Sequence, residues 1–325
     1  MPGTDPAEAM RVVAGELPGF PYLPELPDRG PGADLTGRTA ALLVDLPIET
    51  TPRGWRLAER PGRDLARARS MLASDLDVLE EVLQGFTGPV KLQLCGPWTL
   101  AATLELTHTM NVALSDPGAV ADLTASLAEG AAAHAADVAK RLPGAKLVVQ
   151  CDEPALPSVT AGLVPTQSGL SRLAAVEAET VQDRLSQVLA ATPGYTMVHC
   201  CATTVPFGII RKAGADGLAF DLSQLRRGEE DGVAEAAEAG LGLFTGAIPA
   251  VATAPGGALQ TAERVIRLWR RLGLPLATLA EQAVVTPACG LAGASPAQAR
   301  AALTRCREAA AVLPELIAET GDEPR

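Results

Sequence analysis

Aromatic side chains are scarce in this 325-residue chain: five Phe, two Tyr and three Trp make up 3% of it. Leu, Val and Ala must therefore fill the core, and Ala and Leu also favour helix. No run of about 18 apolar residues exists, so no membrane-spanning helix is expected. Basic runs are absent and the net charge is −11. An acidic surface repels nucleic-acid phosphates and anionic headgroups, so neither a nucleic acid nor a membrane is an expected partner. The stretch Met1–Phe20 carries Asp5, Glu8 and Glu16 and no apolar h-region. It does not read as a secretory signal, and a cytoplasmic location is expected. Cysteines number only six (Cys95, Cys151, Cys200, Cys201, Cys289 and Cys306). So few in so long a chain do not form a disulfide framework; they are core residues, metal ligands or nucleophiles.

Short apolar runs alternate with long amphipathic stretches. The runs are Ala40–Leu46, Val90–Cys95, Lys146–Asp152, Tyr195–Cys201, Gly217–Leu222, Gly242–Ile248 and Ala283–Cys289. Most contain Val or Ile, as buried parallel strands do. Helical patterns lie between them, at Asp64–Leu83, Asp122–Arg141, Ser171–Leu189, Gly232–Ala239, Ala258–Leu272 and Pro296–Leu313. Asp116 before Pro117 and Ser295 before Pro296 have the form of N-caps. This alternation predicts one α/β domain over residues 1–325, a (β/α)8 TIM barrel. Seven strands are read, one short of closure, and the missing first strand is expected ahead of the helix Asp5–Glu16. The Pro- and Gly-rich segment Leu17–Thr36 reads as a lid or arm. The tail beyond Leu316 is acidic and expected to fray.

Candidate chemistry gathers at strand ends, where barrels carry their functional residues. His199 and Cys201 lie two apart at the end of a strand, so they share a face, with Cys200 on the other. Imidazole and thiolate suit a soft divalent metal, although buried cysteine is common in strands. Cys289 ends the last strand and can converge on them. Asp221 ends the strand after the His-Cys pair, as a fourth ligand or as a loop hydrogen-bond acceptor. Asp152 and Glu153 are adjacent carboxylates at another strand end, costly to bury unpaired, and both are candidates to bind substrate. Asp152 shares a face with Gln150 and suits a substrate ammonium group; a salt bridge or N-cap is the structural alternative. Trp98, after the tight exit Gly96-Pro97, either stacks on a flat ligand or packs beneath its loop. Cys95, Cys151 and Cys306 read as packing residues.

Taken in order, Pro2–Ala9 (PGTDPAEA), Gly96–Ala101 (GPWTLA), Gln150–Leu156 (QCDEPAL), His199–Cys201 (HCC) and Thr286–Leu291 (TPACGL) resemble the cobalamin-independent methionine synthase family, in particular its short single-barrel members. The resemblance spans nearly the whole chain. It implies an S-methyltransferase that methylates the thiol of homocysteine to give methionine. It implies zinc on His199, Cys201, Cys289 and Asp221, and the substrate amino group on Asp152. Coordination deprotonates a thiol outright, and the thiolate is the nucleophile.

The chain also departs from the family. The I-G-S motif expected before the P-x-T segment has no counterpart, Asp221 stands where the family has Glu, and the Asp-x-His near the seventh strand is replaced by Phe244–Ile248, which carries no acid. Methyltetrahydrofolate must be protonated as its methyl leaves, which calls for a positioned acid. A methylcorrinoid needs none. The expected donor is therefore a methylcorrinoid, free or on a corrinoid protein, with methyltetrahydrofolate as the alternative. Two competing readings are a zinc methyltransferase for another thiol and a non-catalytic barrel with a decayed site. A barrel of the uroporphyrinogen decarboxylase type would need neither H-x-C nor C-G-L.

Overall fold

Asp5 starts the first helix. Its carboxylate accepts from the backbone N–H of Ala7 and Glu8 ahead of α1 (Pro6–Glu16), with Pro6 at the first turn. The computed structural model describes residues 1–251 and 256–320. After α1 come α2 (Leu35–Ala40), an antiparallel hairpin of β1 (Ile48–Thr51) and β2 (Gly54–Leu57), and α3 (Arg63–Val82). Six further strands follow, each trailed by helix: β3 (Pro89–Cys95) with α4 (Pro97–Thr103) and α5 (Pro117–Arg141), β4 (Lys146–Asp152) with α6 (Leu156–Thr160) and α7 (Ala178–Ala191), and β5 (Tyr195–Cys200) with α8 (Phe207–Lys212). Then come β6 (Gly217–Asp221) with α9 (Glu230–Glu238), β7 (Gly242–Ile248) with α10 (Ala258–Arg271) and α11 (Leu276–Gln282), and β8 (Ala283–Pro287) with α12 (Pro296–Thr320).

β3 to β8 form one parallel sheet in chain order, curled into part of a barrel. Alternation sorts their side chains. Val148, Met197, Ala219 and Phe244 form a separate apolar layer on one face, joined by Phe20, Tyr195 and Val284. The opposite parity, including Leu147, Val149, Val198, Leu218 and Leu243, belongs to the main core under the helices. Each such fully buried side chain contributes roughly 1.5–3 kcal/mol. Gln150, Asp152 and His199 have the parity of the small layer and lie above it, toward the strand C-termini.

Six of the seven predicted strands are present, to within two residues at their C-terminal ends. Ala40–Leu46 is not one of them. Asp34 caps α2 by accepting from Gly37 N–H (2.9 Å), and the run ends in turns with Asp45 at φ 56°. A short apolar run is buried equally well as a helical turn, and periodicity does not separate the two. The hairpin β1–β2 was not expected, although Thr51-Pro52-Arg53-Gly54 has turn chemistry. Leu17–Thr36 is no lid. Leu23 N–H donates to Lys91 O (2.9 Å) and Lys91 N–H to Pro21 O (3.0 Å), so the chain at Tyr22 runs parallel to β3 as a further rung. Leu23 and Leu26 are buried there. Among the described residues no strand joins β8 to this rung, so eight closed strands are not seen.

Asp75 on α3 ties this edge down. It accepts both guanidinium nitrogens of Arg29 (2.8 and 2.7 Å) and one of Arg38 (2.6 Å). A buried carboxylate is tolerable because two cations hold it. The acidic tail proves helical as far as Thr320, and residues 321–325 lie outside the described residues. No described helix is long and apolar enough to cross a membrane.

Candidate metal centre

The ends of β5 and β8 supply the site. β5 delivers His199, and Cys201 follows one residue past the strand. β8 ends at Pro287, and Ala288 N–H donates to Ile248 O (2.8 Å), which fixes the exit that carries Cys289. β7 makes room. Its pairing with β8 shifts register between Gly246 and Ile248. A Cβ on Gly246 would lie 2.6 Å from Phe220 O and 2.7 Å from the Ala288 Cα, so only glycine allows this approach. His199, Cys201 and Cys289 thereby bring one donor atom each within 4.8 Å of one another. Two thiol sulfurs and an imidazole nitrogen are a donor set that suits zinc.

The two sulfurs stand 3.3 Å apart, and the Cys201 thiol donates to Cys289. That hydrogen bond pushes the Cys289 thiol below its ordinary range, helped by the nearby His199, and pushes Cys201 up. Burial pulls His199 down, but the hydrogen bond and charge of Asp152 outweigh it, and its pKa is raised. A readily ionised thiol beside a second thiol and an imidazole is a set of groups that a divalent metal can bind once they are deprotonated.

Asp152 meets His199 because the two are register partners across β4 and β5. Its Oδ1 lies 2.7 Å from His199 Nδ1 and accepts from Gln150 Nε2, also at 2.7 Å. With Nδ1 engaged, Nε2 is the ring nitrogen left for a metal; it lies 3.3 Å from Ala288 O. A carboxylate behind the imidazole is the usual outer partner of a metal-bound histidine.

The other residues singled out from sequence lie apart from this group. Asp221 ends β6, and its Oδ1 accepts from the backbone N–H (2.8 Å) and hydroxyl (2.7 Å) of Ser223. That is the loop-acceptor alternative. Glu153 turns back into the fold and is fully buried. It accepts from Trp98 N–H (2.9 Å), Thr99 N–H (2.8 Å) and the Thr99 hydroxyl (2.6 Å), holding the first turn of α4. Burial raises its pKa to about 7 against the pull of those donors. Gly96 is part of this arrangement, since a Cβ there would lie 2.3 Å from Glu153 Oε1. Trp98 is buried, and its indole donates to Val181 O (2.9 Å). Both side chains are thus occupied by the fold, not turned to the sulfur pair. Cys95, Cys151 and Cys306 are buried, as expected of packing residues. Sequence reasoning overlooked Lys91, whose Nζ lies 3.2 Å from Gln150 Oε1. A lysine inside an apolar strand was the available signal.

A family model described as the catalytic domain of cobalamin-independent synthase matches residues 1–312. Among solved structures, the chain is similar to a B12-independent methionine synthase from Shewanella sp. W3-18-1, solved in complex with selenomethionine. The two share 14% identity and superpose with a TM-score of 0.64, covering 97% of this chain and 89% of that one. No curated protein matches the chain.

Proposed function

The chain belongs to the cobalamin-independent synthase catalytic-domain family, and from that premise we propose that it is a zinc-dependent S-methyltransferase that converts homocysteine to methionine. The observation that carries this reading is the convergence of His199, Cys201 and Cys289 within 4.8 Å, with Asp152 behind the imidazole. Bound zinc would supply a Lewis acid that keeps the substrate thiol ionised at neutral pH. Three protein donors leave one position for that thiol, as catalytic zinc sites do. We leave Asp221 out of the donor set because its Oδ1 holds Ser223. Asp152 Oδ2 carries neither of the hydrogen bonds made by Oδ1, and it is our choice for the substrate ammonium group. The sulfur then attacks the methyl carbon, and the donor departs with the bonding electrons; alignment is the chain's contribution. The similar Shewanella enzyme was solved with selenomethionine, the selenium analogue of the product proposed for this chain. We further take the curled sheet to be part of a (β/α)8 barrel, and the compartment to be the reducing cytoplasm, since Cys201 and Cys289 must stay reduced to serve.

For the donor, the placement of the histidines matters. His108 is exposed and stands 3.4 Å from Glu59, and His134 is buried in α5. With His199 in the metal centre, no histidine is left as an acid for a departing folate nitrogen. This supports a methylcorrinoid, free or protein-bound. Purified enzyme is given homocysteine with each donor separately and methionine is followed. Comparable turnover on methyltetrahydrofolate alone would overturn the corrinoid assignment.

Metal analysis tests the site itself. Wild type is expected to hold one zinc per chain, and Cys201→Ser and Cys289→Ser to lose it while remaining folded. A full zinc equivalent in both variants would refute the site, and none in wild type would favour a decayed barrel.

A further inference from the structure

Lys91 is a cation at the foot of a polar column that rises through the curled sheet to the metal centre. It sits on β3 opposite Val148, one level below the Gln93–Gln150 register pair. Its Nζ lies 3.3 Å from Gln93 Oε1 and 3.2 Å from Gln150 Oε1, and 5.2 Å from the centre of the Tyr22 ring. An ammonium only donates. Both carboxamides must therefore turn their oxygens to it and their nitrogens away. Gln93 Nε2 donates to Leu23 O at 2.5 Å, a dead end in the backbone. Gln150 Nε2 donates to Asp152 Oδ1 at 2.7 Å, and that same oxygen lies 2.7 Å from His199 Nδ1.

We propose that Lys91 is a positioning residue for the metal centre: through Gln150 and Asp152 it fixes the ring of His199 so that Nε2 is the nitrogen offered to the metal beside Cys201 and Cys289. The inference rests on the zinc reading above and extends it two residues deeper. Each link has a single sense. Lys91 sets the amide of Gln150, that amide locks the Asp152 carboxylate, and the carboxylate holds Nδ1. Without Lys91 the Gln150 carboxamide keeps its bond to Asp152 Oδ1 but loses the anchor on its own oxygen, so nothing fixes where its nitrogen holds the carboxylate. The ring would then keep its carboxylate but lose the orientation of it.

The test is zinc affinity, read by competition with a chromogenic chelator, together with the absorption spectrum of the cobalt(II)-loaded protein. Lys91→Met and Gln150→Leu are each expected to weaken zinc by about tenfold to a hundredfold, the usual effect of losing an outer-shell partner. Both should shift the cobalt bands. Gln93→Leu removes an equal partner of Lys91 on the branch that does not reach His199, and is expected to stay within about twofold of wild type. Unfolding curves show that each variant is folded. Zinc binding unchanged in Lys91→Met and Gln150→Leu would overturn the positioning role while leaving the metal site standing. Equal weakening by Gln93→Leu would overturn it too, as a general packing effect. A wild type that binds no zinc would remove the site reading itself and this inference with it.

Discussion

In the proposed function the two oxygens of Asp152 have separable duties. Oδ1 accepts from Gln150 and faces His199, while Oδ2 is assigned to the substrate ammonium group. Asp152→Asn keeps an oxygen for His199 but removes the charge. A hydrogen bond to a charged group is worth about 1.5–3 kcal/mol, so the KM for homocysteine is expected to rise roughly 10- to 150-fold. A simple alkyl thiol without the amine should be affected much less; equal loss for both would assign Asp152 to positioning alone. At this scale the convergence of His199, Cys201 and Cys289 was legible, because strand parity and strand-end position suggest that the three can meet. Glu153 and Trp98 were not. Glu153 lies one residue past β4 and Trp98 three past β3, where the chain can turn to the mouth or back into the fold, and a local motif is the same for both outcomes. The bond of Glu153 to Thr99 spans 54 residues, and such partners are set by tertiary packing.

The ends of β7 and β8 approach as they do because Gly246 has no side chain. Gly246→Ala would push the end of β7 away from β6 and from the β8 exit, since all three close contacts of the new Cβ are with backbone, of Phe220, Asp221 and Ala288. Overpacking of this kind costs typically 1–3 kcal/mol. Gly246→Ala is therefore expected to lower the denaturant midpoint and weaken zinc, because Cys289 moves with β8. If zinc affinity is unchanged in a destabilised variant, the register shift does not place Cys289. Glu153→Ala should behave in the opposite way. Three donors at the start of α4 lose their acceptor, at about 1–3 kcal/mol for each buried group left unpaired. Urea unfolding should show a loss of several kcal/mol, yet the folded variant should retain its zinc. Loss of zinc without loss of stability would tie Glu153 to the metal centre instead of to the fold. The strands of the parallel sheet were legible as elements because they are short, mainly apolar runs set between amphipathic helical stretches. The hairpin and α2 were not, since their burial comes from neighbours distant in sequence.

The whole molecule carries its own pH signature. His134 is buried in α5, and burial, with Arg38 nearby, lowers its pKa from 6.5 to about 4, against a smaller pull from Asp137. The unfolded chain then binds more protons than the folded one between these values. Stability from this group is present above pH 6.5 and is lost as pH falls toward 4. The shift corresponds to about 3 kcal/mol. Urea titrations from pH 7 to pH 4 should show that His134→Leu loses less stability than wild type over this window; parallel losses would mean that His134 is not buried neutral. The order of the parallel sheet follows from alternation and short crossovers, but the Tyr22 rung beside β3 does not, because Pro and Gly mask a segment whose backbone pairs with β3 at a single residue, Lys91. What the assembled fold is for can be measured in one titration. Protein with one zinc per chain is stripped stepwise by a chelator, and methionine formation from homocysteine is followed at each step with the better methyl donor. Turnover should fall in proportion to zinc and return when zinc is restored, and Cys289→Ser should show none. Full turnover from zinc-free protein would contradict the account.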